Sequence, residues 1–190
     1  MRCFVLSQPK AGTYLCANLL EEFGLTNTCL HISDHDYQKY DLTDLTKCRE
    51  NTGSFTHKKE FSKSLQMIKS NEFAVGHIRS GHKPIKALSK FKKIFLVRDA
   101  KEIQQSAERW KELSGRNVNE KSLLHVAEEM LPWEKEKDVF VLPFRKMINK
   151  DRIYLDQLQI YLFGEIRVDS VRAMKAALER DSLTKSQIRK

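Results

Sequence analysis

No apolar run in this sequence approaches the roughly 18 residues that a membrane-spanning helix needs, and its first residues do not pair a charged segment with a long apolar one. Both absences lead us to expect a soluble, cytoplasmic protein without a membrane span. Cysteine is sparse: Cys3, Cys16, Cys29 and Cys48 form no C-x-x-C pair and no zinc-ligand spacing, so they read as reduced thiols rather than a disulfide framework or a zinc site. His31 and His35 stand four apart, as a metal pair on a helix would, but no third ligand follows at a recognisable spacing, and no metal is expected. The pairing of two glycines five apart with a following Lys-Ser/Thr is missing, and no carboxylate is clearly placed for magnesium, which disfavours an ATP-dependent kinase.

What the chain does have is positive charge. Its 190 residues carry 34 Lys+Arg against 25 Asp+Glu, a net charge of +9, which suits polyanionic partners: nucleotides, nucleic acid, acidic glycans or anionic lipid. A basic surface with no partner meaning is equally common. Because no aromatic stripe interleaves the charges, nucleic acid is not expected. The length fits a single domain spanning residues 1–190.

The most informative stretch runs from Cys3 to Gly24. Cys3 to Ser7 reads as a buried strand, Gln8-Pro9-Lys10-Ala11-Gly12-Thr13 as a loop, and Leu15, Cys16, Leu19, Leu20 and Phe23 recur at helical spacing before Gly24 supplies a stop. A strand, a glycine-containing loop and a helix make an anion site, because N–H groups at the helix start and the positive end of its dipole face the loop. Gly12 admits close approach, Lys10 adds a charge and Thr13 a hydroxyl. Lys10 would equally suit an ordinary solvated turn.

Further along, Thr28 to Ser33 fits a short strand, and the polar region to about Lys59 reads as loops with short helical pieces. Glu60 to Ser70 fits a helix and Phe73 to Ile78 a buried strand ending at His77. A flexible loop, Ser80 to Pro84, and a short helix, Ile85 to Phe91, follow. Lys93 to Val97 is the strongest strand signal and runs into Arg98-Asp99, with Asp99 a candidate N-cap for a helix to about Leu113. Ser114 to Asn117 breaks that helix. Glu120 to Met130 is helical, Asp138 to Leu142 a strand stopped by Pro143, and Met147 to Phe163 a helix. Val171 to Leu178 begins a last helix before a basic tail, Thr184 to Lys190. Strands alternating with helices, three of them apolar throughout, predict an α/β three-layer sandwich with a central parallel sheet flanked by helices. Ligands of such sheets bind outside the carboxyl ends of the strands, where Lys10, His77 and Arg98 would all lie.

Three separated segments resemble the sulfotransferases that use 3′-phosphoadenosine 5′-phosphosulfate (PAPS), a family with a P-loop nucleotide-hydrolase-like fold. Gln8 to Leu15 (QPKAGTYL) looks like that family's 5′-phosphosulfate loop. Lys93 to Trp110 looks like its 3′-phosphate segment, with Arg98 and Ser106 keeping the eight-residue separation. Val75 to Ile78 resembles the strand end that carries the catalytic histidine. The resemblance implies that Lys10 stabilises the leaving phosphate and that Ala11, Gly12, Thr13, Tyr14 and Leu15 hold the 5′-phosphate through loop N–H groups. It further implies that Arg98 and Ser106 bind the 3′-phosphate, and that His77 takes the acceptor's proton during in-line transfer. PAPS would be the co-substrate and no metal would be required. The acceptor, whether small molecule, glycan or lipid, is not written in the sequence, nor is the oligomeric state.

The match is incomplete. Ala11 replaces the loop serine, Ala100 and Lys101 stand where the family has proline and arginine, and Tyr14-Leu15 occupy the place of an adenine-stacking tryptophan. Only Arg189-Lys190 could answer the late Arg-Lys-Gly loop. Each residue also has a structural alternative: Arg98 as the ion-pair partner of Asp99 or Glu102, Ser106 bonded back to a carbonyl, His77 as a satisfied strand-end histidine, and His82 as a competing base. A nucleotide- or acidic-polymer-binding protein without turnover is the alternative function on the same fold.

Overall fold

A computed structural model describes residues 1–33, 36–39, 51–54, 58–114 and 119–180. Within them one seven-stranded sheet forms from β1 (Arg2–Ser7), β2 (Thr26–Ile32), β3 (Asp36–Lys39), β4 (Asn51–Ser54), β5 (Glu72–Gly76), β6 (Lys92–Val97) and β7 (Val139–Pro143), in the order β4-β3-β2-β5-β1-β6-β7. The five strands from β2 to β7 in that order are parallel, and β3 and β4 add antiparallel at one margin.

The sheet is covered on both faces, which is why its strands read as continuous apolar runs rather than alternating ones. Cys3 and Val5 of β1, Val75 of β5, Ile94 and Leu96 of β6 and Leu142 of β7 face one core. That core is closed by α1 (Thr13–Glu22), α6 (Phe144–Ile148), α7 (Arg152–Phe163) and α8 (Ser170–Arg180). Phe4, Leu6, Ala74 and Phe95 face the other. It is closed by α2 (Lys58–Gln66), the end of α3 (His82–Ala87), the end of α5 (Glu120–Met130) and the 3-10 turn Leu131–Lys135 with its fully buried Trp133. α4 (Ala100–Ser114) follows β6 and is started by Asp99, whose carboxylate accepts from Lys101 N at 2.9 Å. The expected α/β sandwich with its parallel centre is therefore the observed fold.

Several local readings are corrected. The polar region after Ser33 contributes two short strands, not only loops and helical pieces. They sit at the sheet margin, where backbone pairing does not demand an apolar run. The helix expected over Ile85 to Phe91 instead begins at His82 and ends at Ala87, taking in part of the expected loop. Pro84 fits there because its missing N–H falls in the first turn. The long helix expected from Met147 is broken in two: Lys150 takes a left-handed φ of 52°, and Asp151 restarts the chain by accepting from Tyr154 N at 3.2 Å. Cys3 and Cys16 are free thiols, and burial pushes the Cys3 thiol up to about 12 and the Cys16 thiol higher still. Cys48 and His35 lie outside the described residues.

Candidate functional site

β5, β1 and β6 are neighbours, and their carboxyl ends deliver His77, Lys10 and Arg98 to one edge. The loop after β1 is built by two conformations that ordinary residues avoid: Lys10 has φ 62° and Gly12, the residue before α1, φ 90°. A Cβ on Gly12 would lie 2.7 Å from the Phe144 ring, so this glycine is required both by the turn and by the packing of α6 beneath it. No side chain caps α1. The first intrahelical bond is Cys16 N to Gly12 O at 3.0 Å, which leaves the N–H groups of Gly12, Thr13, Tyr14 and Leu15 ahead of the helical ladder. Ala11 differs: its N–H donates to Gln8 O at 3.1 Å, and its side chain is fully buried. Leu15 is likewise core, and the Thr13 hydroxyl bonds the Ser7 hydroxyl at 2.7 Å.

Gln8 is the staple of the edge. Its amide donates to Ala127 O at 2.9 Å and accepts from Arg98 N at 2.9 Å, joining the ends of β1, β6 and α5. Arg98 in turn donates through Nη1 to Lys10 O at 2.8 Å and lies 3.8 Å above the Phe144 ring centroid. Burial lowers the pKa of Arg98 from the guanidinium's ordinary value, and the Glu102 carboxylate counteracts that. The ion-pair partner of Arg98 is Glu102, at 3.5 Å, while the Asp99 carboxylate caps α4. Ser106 is buried on α4, two turns beyond Arg98. Lys10 Nζ sits 4.2 Å over the Trp110 ring, one turn further along the same helix.

His77 follows Gly76, at which a Cβ would lie 1.7 Å from Ile32 O; only glycine lets β2 pass that close to β5. Its Nδ1 is 2.5 Å from Ser7 O. A carbonyl only accepts, so the ring donates from Nδ1, and in the neutral imidazole Nε2 is left with the lone pair. The next carbonyl, Ile78 O, takes the Trp133 indole N–H at 2.8 Å, fixing the strand end from the other side. His82, the competing base, is the first residue of α3.

Two features of this edge have no clear signal in the sequence. His31 is not half of a helical metal pair: it lies in β2, after an irregularity in register between Asn27 and His31 with Cys29 at φ 55°. It packs edge-on to His77 at 4.7 Å, with Tyr14 Oη 3.4 Å from its Nδ1. Among the described residues no cluster of three metal-ligating side chains occurs, and no helix is long and apolar enough to cross a membrane. The second feature is the group formed by Phe144, Arg145 and Glu102. Its only sequence signal is that Glu102 stands four residues after Arg98, whereas its approach to Arg145 is a tertiary contact.

Compared with known proteins, the chain has the fold of a sulfotransferase. It superposes on mouse sulfotransferase SULT7A1, a structure solved in complex with PAP, with a TM-score of 0.57 and 14% sequence identity, covering 92% of this chain. The chain spans 62% of the length of that structure. No protein-family model matches the sequence, and no curated protein matches it.

Proposed function

We propose that this chain is a sulfotransferase, a single domain over residues 1–190, that moves a sulfuryl group from PAPS to a hydroxyl or amine acceptor. The observation that carries this reading is the meeting of Lys10, His77 and Arg98 at the ends of three adjacent parallel strands, around an uncapped helix start. The likeness in fold to a protein solved with PAP supports it.

In this reading the N–H groups at the start of α1, chiefly those of Gly12 to Leu15, hold the 5′-phosphate. Arg98 and Ser106 take the 3′-phosphate, as a charged fork and a hydroxyl donor. The acceptor oxygen or nitrogen forms a bond to sulfur as the bond from sulfur to the bridging phosphate oxygen breaks. His77 Nε2 accepts the acceptor's proton, and Lys10 moves from the Trp110 face to the leaving phosphate oxygen, stabilising the charge that develops there. These steps call on no metal. The products are a sulfated acceptor and PAP, with the proton passing from His77 to solvent.

A binding protein without turnover on this fold is the second reading, and it is favoured by the buried Ala11, which offers no hydroxyl at the loop. His77→Ala and Arg98→Ala separate the two. For an enzyme, the first variant loses sulfuryl transfer and keeps PAP affinity, whereas the second loses PAP affinity itself. Wild-type protein that binds PAP yet transfers nothing to alcohol, glycan, lipid or amine acceptors favours the second reading.

A further inference from the structure

Glu102 leaves the first turn of α4 and holds two arginines that come from different elements. Its Oε1 lies 2.5 Å from Arg145 Nη2 at the start of α6, and its Oε2 lies 3.5 Å from Arg98 Nε. Arg109 stands seven residues beyond Glu102 and three beyond Ser106, so Glu102, Ser106 and Arg109 share one face of α4. Arg109 and Arg145 both act on the charge of Arg98. Two guanidinium groups thus contact a single carboxylate at the carboxyl end of β6, and a third, Arg109, stands on the same face of α4.

The carboxylate satisfies Arg145 but not the other two. The buried Nε of Arg98 and the buried Nε of Arg109 have no hydrogen-bond partner among the described residues, and Glu102 Oε2 is itself unsatisfied. Buried donors left in this state are rare and costly; Glu102 Oε2 approaches Arg98 Nε at 3.5 Å without hydrogen-bonding it, and Arg109 Nε has no acceptor in hydrogen-bonding geometry. A phosphate dianion supplies more acceptor oxygens and twice the charge of a carboxylate. Arg145 is 70% exposed, so its side chain can swing without disturbing the core.

Resting on the proposed use of PAPS, we propose that Arg145 and Arg109 complete the 3′-phosphate socket with Arg98 and Ser106, and that Glu102 occupies that socket as a displaceable internal competitor until nucleotide arrives. Binding of the 3′-phosphate exchanges the Glu102–Arg145 pair for a phosphate–Arg145 pair, and no covalent bond changes. The competitor makes the apparent affinity for the nucleotide lower than the arginines alone would give.

Calorimetric titration of PAP and of 5′-AMP, which lacks the 3′-phosphate, tests this on the full chain and its Arg145→Ala, Arg109→Ala and Glu102→Gln variants. Arg145→Ala is expected to raise the Kd for PAP roughly tenfold or more and to leave 5′-AMP within about twofold; Arg109→Ala acts in the same direction. Glu102→Gln is expected to lower the Kd for PAP by about threefold or more, since it removes the competing charge and keeps the side-chain shape. Thermal melts of the variants confirm that each is folded. An unchanged ratio of PAP to 5′-AMP affinity in Arg145→Ala, or weaker PAP binding in Glu102→Gln, overturns the socket while leaving the sulfotransferase reading intact. Wild-type protein that does not prefer PAP to 5′-AMP overturns both.

Discussion

His77 Nδ1 meets the Ser7 carbonyl oxygen at 2.5 Å, and that one contact ties the end of β5 to the end of β1 while setting which ring nitrogen carries the proton. It predicts unequal effects of two substitutions. Asn in place of His77 can keep a donor near Ser7 O but has no basic nitrogen, so both His77→Asn and His77→Ala should lower sulfuryl transfer by roughly a hundredfold to ten-thousandfold. Only His77→Ala should also lower thermal stability measurably. If His77→Asn retains wild-type turnover, His77 is not the base.

Gly76 and Gly12 predict a different kind of loss. A methyl group at Gly76 would collide with the Ile32 carbonyl at 1.7 Å, so Gly76→Ala should cost on the order of 4 kcal/mol or fail to fold. Gly12→Ala meets a φ of 90° and the Phe144 ring at 2.7 Å. The backbone strain alone costs about 1–2 kcal/mol, and nucleotide binding should fall further than stability does. Urea unfolding beside PAP titration reads both.

The two tryptophans of the sequence, Trp110 and Trp133, should report separately. Trp110 carries Lys10 on its face, while Trp133 is wholly buried and bonded to Ile78 O. Intrinsic fluorescence should change on adding PAP, and Trp110→Phe should abolish the change while leaving the Trp133 emission. A response that persists in Trp110→Phe would place the ligand elsewhere.

Asp151 links the fold to pH. Lys146, at 2.6 Å, and then the Tyr154 N–H hold its carboxyl below the usual carboxylate range. A carboxylate with a lowered folded pKa adds stability above its unfolded pKa and loses it as pH falls through the folded value. Stability should therefore decline as pH is taken below about 4, and Asp151→Asn should be less stable at neutral pH and show a shallower acid decline. Thermal melts between pH 7 and 2.5 check this; equal acid slopes would contradict it.

The central sheet was legible because β1, β5 and β6 are buried on both faces and so carry unbroken apolar runs. β3 and β4 were not, since marginal strands in a polar segment have no such pattern. At the site, Lys10, His77 and Arg98 could be placed together because the carboxyl edge of a parallel sheet collects the ends of its strands. The Gln8 staple, the packing of His31 on His77 and the bridge from Glu102 to Arg145 depend on tertiary approach across 43 to 119 residues of sequence separation. None of these contacts has a local signature.

The most direct test of the account is calorimetric binding of PAP to the wild-type protein, run beside ATP and 5′-AMP with EDTA present. Binding of PAP is expected to survive EDTA and to fall sharply when the 3′-phosphate is removed. No binding of PAP, or equal binding of ATP, would contradict it.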